Sequence, residues 1–407
     1  MTLSSSQYKA IAIMPMISGT LSIIGSVTVI IRILRSKLST TLRRLVFAMS
    51  VMDVIYSLSY IASTLPSPGS TPFLWKSLGN TTTCSIQGLM FFAGSMGTTM
   101  YNCLLSLFYM LTVAFGVKDP LMTHRIEPWF HIIPLVYIIS TSSFLLVKKS
   151  FNPEGSICMI ASYPMYCSTD PTLECARGIN AERNVWTFQL YPILAMGLVI
   201  FASMSYMYFS VWRQEKIMDR YRMIHTSRST VSSNNLDDSL HSIRSRASSA
   251  RNTRANDTSS STMPSIRPAS RKRQAALRQC TYYVSAYLLV WIFGILQRLI
   301  GPTCYPLWFL AHLVCPLQGF FNSAVYLRPQ VQYTRTLESN RTLTFWQALV
   351  LTIQREDIDM TTAPRRNSMQ STGRHFTARE MHLQAMARQV VDEEEGATTT
   401  TFTNTTD

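Results

Sequence analysis

Charged residues are scarce in this chain. Only 14% of its 407 residues are Asp, Glu, Lys or Arg, where an average soluble protein has roughly 25%. The scarcity is local. Long stretches between Ile11 and Leu327 hold almost no charge, whereas Arg213 to Arg278 and the residues after Arg328 are thick with it. That pattern excludes an ordinary soluble domain and fits membrane spans separated by solvated loops. Also missing are a Gly-rich phosphate loop, an HExxH helix and a nucleophile elbow, so no enzyme activity and no cofactor is expected. Two span histidines, His131 and His312, without an acidic cluster do not make a metal site. There is no half-repeat like that of many transporters, and no periodic arginine array like a voltage sensor's. Lysine is absent from Tyr305 to Leu327, which removes an attachment point for a retinal Schiff base of the microbial-rhodopsin kind. What remains is a signal transducer, with a channel or transporter as the alternative. The alternative needs a water-filled polar path, and Asp53, Asn102, His312 and Asn322 are few for one.

Hydrophobic residues make up 47% of the chain, and they are grouped. A helix needs about 20 apolar residues to cross the hydrocarbon core. Seven windows meet that need: Ile11–Leu34, Leu45–Leu65, Thr83–Phe115, Pro128–Val147, Val185–Trp212, Ala276–Ile300 and Tyr305–Leu327. The expected fold is therefore an all-α integral membrane protein, a seven-transmembrane-helix bundle occupying residues 11–329. Residues 1–10 form a short outer N-terminus, 214–275 a long basic and largely disordered third cytoplasmic loop, and 330–407 a cytoplasmic tail. The third window, about 33 residues at ~1.5 Å each, is roughly 50 Å long and is expected to tilt and project. The first run is too long for a cleaved signal peptide and lacks a small-residue cleavage site, so it reads as an uncleaved anchor.

Basic loops give the orientation. The first connection holds Arg35, Lys37, Arg43 and Arg44 with no acid, whereas the loop Lys148–Asn184 balances four bases against Glu154, Asp170, Glu174 and Glu182. The N-terminus is expected outside and the C-terminus inside. Asn80-Thr81-Thr82 is then an outer glycosylation sequon, while Asn256, Asn340 and Asn404 head others on the cytosolic side. Cys84, Cys158, Cys167, Cys175 and Cys304 fall at or beyond the outer face, where disulfides persist. A bridge from Cys84 to the second outer loop would pin that loop over the bundle mouth, for a few kcal/mol in the entropy model. Sequence alone does not determine the pairing. The expectation is Cys84 with Cys158 and Cys167 with Cys175, leaving Cys304 unpaired; small buried hydrophobes are the bland alternative.

Polar residues inside spans mark candidate function. Asp53 lies about 13 Å above the inner boundary and Asn322 about 9 Å, so helices two and seven are expected to share a polar contact that includes Asn102 of helix three. A switch that rearranges between bundle states and a static bond of about 0.6 kcal/mol are equally open. Arg298 at the outer end of helix six either snorkels to the interface or meets an anionic ligand. With Gln297 and His312 it forms the set of ligand-pocket candidates, His312 reading more readily as a satisfied bundle residue. Pro192 and Pro316 interrupt helices five and seven, as kinks or as packing features.

The run Cys315-Pro316-Leu317-Gln318-Gly319-Phe320-Phe321-Asn322-Ser323-Ala324-Val325-Tyr326-Leu327-Arg328-Pro329 resembles the last helix of G-protein-coupled receptors of the cyclic-AMP-receptor-like group of slime moulds, fungi and other unicellular eukaryotes. A looser match spans Ile11 to Pro329, with Ser50-Val51-Met52-Asp53, Cys84 and Cys158-Met159-Ile160; the last triplet adds support for Cys84 with Cys158. The chain departs from rhodopsin-like receptors, with Leu111-Thr112-Val113-Ala114-Phe115 where those have an acidic-Arg-Tyr triplet. It also has Asn322-Ser323-Ala324-Val325-Tyr326 where they have Asn-Pro-x-x-Tyr, and no proline after Trp291. The resemblance implies agonist-driven opening of the inner face and nucleotide exchange on a Gα subunit at the plasma membrane. It does not name the agonist, small molecule or peptide, and cyclic AMP does not follow from the label.

The net charge of +15 sits mainly on that inner side, where anionic lipid is a natural partner; no nucleic-acid module accompanies it. Tyr221 to Arg271 reads as disordered. Arg43, Arg44, Arg213, Lys216, Lys272 and Arg273 are the candidates for Gα contact, against topology alone as the other reading. Ser248 and Ser249 follow Arg244 and Arg246, and Ser368 follows Arg365-Arg366, a pattern basophilic kinases favour. Residues 341–355 read as an interfacial helix, with Leu343, Phe345, Trp346, Leu349, Val350 and Ile353 on one side, and the acidic, Thr-rich end as disordered.

Overall fold

A computed structural model of the protein describes residues 4–36, 38–69, 71, 74–164, 167, 172–244, 267–300, 304–336 and 344–354, with side chains undescribed at 119, 218–244, 267–273, 336 and 354. All of these fall in the unit Met1–Glu356. Ser248, Ser249, Ser368, Asn256, Asn340, Asn404 and the acidic end lie outside the described residues.

Helix α1 (Ser5–Arg35) starts where Ser4 accepts from the Gln7 amide N–H and Gln7 accepts from that of Ser4, which satisfies two otherwise orphaned donors. α2 (Thr41–Ala62) is capped by Thr40. α3 (Thr81–Tyr109) is capped by Asn80, whose Oδ1 accepts from the N–H groups of Thr82 and Thr83. The exposed sequon asparagine is thus a helix cap, with its amide nitrogen left out of that contact. Next come α4 (Glu127–Val147) and a two-stranded hairpin, β1 (Phe151–Glu154) paired antiparallel with β2 (Ile157–Ile160). α5 (Tyr191–Arg244), α6 (Arg267–Ile300) and α7 (Tyr305–Val314) follow; a 3-10 turn at Cys315–Leu317 joins α7 to α8 (Gln318–Thr336), and α9 is Phe345–Gln354.

Among the described residues, five helices are long and apolar enough to cross a membrane: Ser5–Arg35, Thr41–Ala62, Met122–Val147, Ala181–Ile217 and Gln274–Ile300. The third and seventh expected spans take a different form. α3 buries Ser95, Thr98, Thr99, Asn102 and Ser106, polar side chains that an enclosed helix can carry because its neighbours, not lipid, surround it. It ends in a π-helical turn at Met110–Ala114. The seventh is broken at Pro316, where the missing N–H and the ring tighten the turn.

The expected break between helices five and six is shorter than 214–275. α5 continues through Arg244, with neither Gly nor Pro after Gly197 to stop it, and α6 begins at Arg267 with Pro268 in its first turn. Ser and Arg content alone argued for disorder there, and it did not count the absence of helix breakers. Pro192, expected to interrupt helix five, is accommodated without an orphan. A π turn at Trp186–Leu190 precedes it, and the Phe188 carbonyl, four residues before the proline, accepts from the Tyr137 hydroxyl of α4 at 2.7 Å.

Two hydrophobic clusters make the core. One holds Tyr56, Tyr60, Phe91, Phe92, Trp291 and Cys315; the other holds Val29, Met49, Tyr101, Leu105, Tyr283 and Tyr326. On α2, Asp53 falls between Met49 and Tyr56, on α3 Thr98 falls between Met96 and Tyr101, and on the seventh helix Asn322 falls between Cys315 and Tyr326. A polar layer therefore separates the clusters. α8 presses against it through Gly319, where a Cβ would collide with Ser26 Oγ and lie 2.6 Å from Ser22 Oγ. Gly319→Ala is expected to lower the thermal midpoint, by about 1–3 kcal/mol of overpacking, and Ser26→Gly on the same chain to restore part of it. A midpoint unmoved by Gly319→Ala would sink the close-approach argument.

Candidate functional site

The hairpin lies across one end of the bundle because several side chains stitch it there. Cys84 at the start of α3 is bonded to Cys158 of β2, and Cys167 to Cys175 in the following loop, while Cys304 is free. Gln87, buried on α3, donates to the carbonyls of Ser59 and Ser63 at 2.8 and 2.6 Å and accepts from the Cys158 N–H at 3.1 Å. One side chain thus joins α2, α3 and β2. Asn152 donates to the Lys149 and Ala161 carbonyls and accepts from Arg177, which holds the loop's return path. The hairpin turns at Gly155, whose φ of +67° suits glycine; a Cβ there would sit 3.3 Å from the Trp308 ring.

Beneath the hairpin is a partly open cavity of about 110 Å³. Its walls are Tyr56, Tyr60, Phe91, Trp291 and Trp308, with Gln189, Gln297, Arg298, Glu154 and His312 as the polar members. Gln297, Arg298 and His312 therefore line one space. Arg298 neither snorkels nor stands free: Nη1 donates to Glu154 Oε1 of β1. Glu154 was counted in the sequence only as one acid in a balanced loop. His312 is both a satisfied bundle residue and a wall residue, 7% exposed, with Nδ1 2.8 Å from the Trp308 carbonyl. A carbonyl only accepts, so that nitrogen carries the proton and Nε2 is an acceptor. At the floor the Tyr56 and Tyr60 hydroxyls meet at 3.2 Å, and Cys315 Sγ donates to the Val290 carbonyl at 3.4 Å, tying the seventh helix to α6.

Below the floor lies Asp53, fully buried. Thr98 Oγ1 donates to one carboxylate oxygen at 2.9 Å and Asn322 Nδ2 to the other at 3.0 Å. The expected contact between helices two and seven is present, but the residue from α3 is Thr98 and not Asn102. Asn102 lies one turn further on and turns its amide back to the Thr98 carbonyl at 3.0 Å. Its Oδ1 has no partner among the described residues, and neither amide atom of Gln318 nor Ser26 Oγ has one.

At the other end Arg44 is held by Glu127, the first residue of α4. Nε donates to Oε1 and Nη2 to Oε2, the latter at 2.6 Å. Thr41 Oγ1 also donates to Glu127, at 2.7 Å; His131 Nε2 is 3.8 Å from it, and Tyr101 reaches His131 Nδ1 at 3.2 Å. This chain from α2 through α4 to α3 was not foreseen, since nothing in sequence links residues so far apart; an acid in a first helical turn was the available signal. Arg43 donates to the Ser36 carbonyl and Ser39, so both arginines proposed for a partner are engaged within the chain. Arg213 and Lys216 are exposed, Lys216 lying 3.8 Å from the Trp212 ring centre. Lys272 and Arg273 lie on α6 with side chains undescribed. Gln274 donates to Glu215, joining α6 to α5, and Arg328 stacks 4.0 Å over Tyr282, joining α8 to α6.

No protein-family model matches the chain, and no curated protein matches it. Among solved structures it is similar to squid rhodopsin, with a TM-score of 0.54 over 92% of this chain and 94% of that chain. The fold is of that kind. Identity is 14%, so the likeness concerns the arrangement of helices and not the residues of the site. α9 packs on α8 and α1, with Ala348 and Thr352 buried and Phe345, Trp346 and Val350 exposed. Arg32 donates to the Thr352 carbonyl, and Thr334 and Thr352 share a 2.9 Å hydroxyl contact.

Two stability measurements follow. Thr98→Val keeps shape and deletes one donor to Asp53, an expected loss of about 0.6–1.7 kcal/mol; a cycle with Asp53→Asn should show coupling, whereas Asn102→Ala should show none. Glu127→Ala strips Arg44 and Thr41 of their shared acceptor, for about 1–3 kcal/mol, and Arg44→Ala added to it should cost little more because the pair is already broken.

Proposed function

We propose that this protein is a plasma-membrane G-protein-coupled receptor, with its hairpin end outside, that converts binding of an extracellular chemical signal into nucleotide exchange on a Gα subunit. The observation that carries this reading is the cavity under a disulfide-pinned hairpin, whose floor is made by α2, α6 and the seventh helix. Support comes also from the rhodopsin-like arrangement of helices and from the helix-seven signature. A ligand between Trp291, His312 and Cys315 acts on the α6–α7 contact directly. Below it, Asp53 and Asn322 link the seventh helix to α2, and at the far end Arg328 on Tyr282 links α8 to α6. A ligand that binds one packing of α6 better than another shifts the population toward it by its differential affinity. Opening at the inner end then requires that Arg328 leave Tyr282 and that Gln274 leave Glu215, contacts within reach of a shift of α6 alone.

The inner surface suits the partner. Arg213 and Lys216 on α5 and Lys272 and Arg273 on α6 form a basic rim for an acidic Gα face and for anionic lipid. The phosphorylation candidates Ser248, Ser249 and Ser368 would reduce that positive charge. Glycosylation at Asn80, on the exposed rim of the same end as the hairpin, fits an outer placement. α9, with Trp346 and Phe345 outward, fits a helix lying at the membrane interface.

The test is guanine-nucleotide exchange on a panel of Gα subunits by membranes containing this protein, with cell extracts as ligand sources. Exchange should rise with an active extract and fall several-fold when Lys272 and Arg273 are both changed to Gln. No exchange on any subunit, with folded protein demonstrated at the cell surface, would rule the reading out.

A further inference from the structure

We infer that the occupant of the hairpin-end cavity is a small, uncharged, largely apolar molecule carrying a hydroxyl-like hydrogen-bonding group, and not a phosphate, carboxylate or ammonium compound. This rests on the reading of the cavity as the ligand site and goes beyond it by naming the chemical class.

Charge is the first argument. Among the described residues that line the cavity, one is a cation and one an anion, Arg298 and Glu154, and they are bonded to each other. The wall is neutral as a whole. Residues outside the description in the loops at this end, 70, 72–73, 165–166, 168–171 and 301–303, include neither Lys nor Arg, so no second cation is in reserve there. An anionic ligand would compete with Glu154 for Arg298 and add a negative charge that no other wall residue balances. An ammonium ligand would compete with Arg298 for Glu154 and add a positive charge unbalanced in the same way. Both partners are 31% exposed, so water offsets part of this cost, but each charged ligand still carries a penalty that a neutral one does not. A neutral molecule leaves the pair intact.

Unmet hydrogen bonds are the second argument, independent of the first. Trp291 is 8% exposed, lines the cavity, and its indole N–H has no acceptor among the described residues. Glu154 Oε2, enclosed beside the pair, has no donor. Buried polar atoms without partners carry a free-energy cost, and a hydroxyl, which both donates and accepts, relieves one or the other. The rest of the wall offers aromatic faces and aliphatic side chains, Phe91, Trp308, Ile157 and Ile193 among them, which suit an apolar body.

The test is a charge series on one carbon skeleton: 3-phenylpropan-1-ol, 3-phenylpropan-1-amine, 3-phenylpropanoate and, as a polar anion, cyclic AMP. Each is titrated against the purified full chain in lipid nanodiscs without G protein, reading the thermal midpoint for saturable stabilisation. The alcohol should stabilise, the amine and carboxylate should be about tenfold weaker, since each disturbs the half-buried charge pair, and cyclic AMP should do nothing. Trp291→Phe should weaken the alcohol about five- to tenfold by removing one hydrogen bond. Gly294→Leu, which fills the cavity from a position where a Cβ meets only Cys315 Sγ at 3.5 Å, should abolish saturation and so exclude simple partition into lipid. Stronger stabilisation by the carboxylate, the amine or cyclic AMP would overturn the inference, as would the absence of saturable binding by the alcohol or its indifference to both variants. Saturable alcohol binding without nucleotide exchange on any Gα would leave this inference standing and remove the receptor reading; exchange driven by a charged agonist would do the reverse.

Discussion

The carboxylate of Asp53 sets the terms for the middle of this bundle. A fully buried carboxylate needs donors, and in a bundle core the donors must come from other helices or from enclosed water. Here they are Thr98 of α3 and Asn322 of α8. Meeting both requires three helices to converge on one atom group, and the surrounding small residues make that approach possible. Gly319 lets α8 touch the serines of α1, and Ser57 of α2 bonds Ser22 across the same gap at 2.8 Å. The two hydrophobic clusters then form above and below this layer. Rearranging the helices means re-satisfying the carboxylate, so motion at the layer is confined to arrangements that still offer donors. The amide of Gln318, one turn from Asn322 on the same helix, is buried with no partner among the described residues.

Much of the architecture was readable because the bilayer imposes a coarse and strong constraint. Apolar windows separated by basic turns place some helices to within a few residues, as Pro128–Val147 against Glu127–Val147 illustrates, though not the extensions of α5 to Arg244 and of α6 back to Arg267. Helix three was harder. Its polar residues tell that it is enclosed, but not which of them faces Asp53; Thr98 and Asn102 differ by one turn and share a face, so composition and depth could not choose between them. The extension of α5 to Arg244 is legible only in the absence of Gly and Pro after Gly197, against a polar content that favours disorder.

Pairings between distant residues were the least legible part of the site. Arg298 was singled out by position, yet its partner Glu154 is 144 residues away in sequence and sits on a strand of only four residues. Arg44 and Glu127 are likewise separated by 83. Such contacts depend on where loops and helix ends arrive in space, and a single sequence carries no measure of that. Gln87 belongs to the same class: a lone amide near a helix start looks unremarkable until its three bonds to α2 and β2 are seen.

The bond from Tyr137 to the Phe188 carbonyl has a mechanical meaning. Pro192 leaves that carbonyl without its usual donor, and a neighbouring helix supplies one. The hydroxyl reaches a single carbonyl, so sliding the chain at Phe188 along α4 by a turn would leave that oxygen unpaired, a penalty of about 1–3 kcal/mol against axial slip. On α6 the polar ties to its neighbours at Cys315, Arg328 and Gln274 are each a single contact, set beside the core packing of Tyr283, Tyr287 and Trp291.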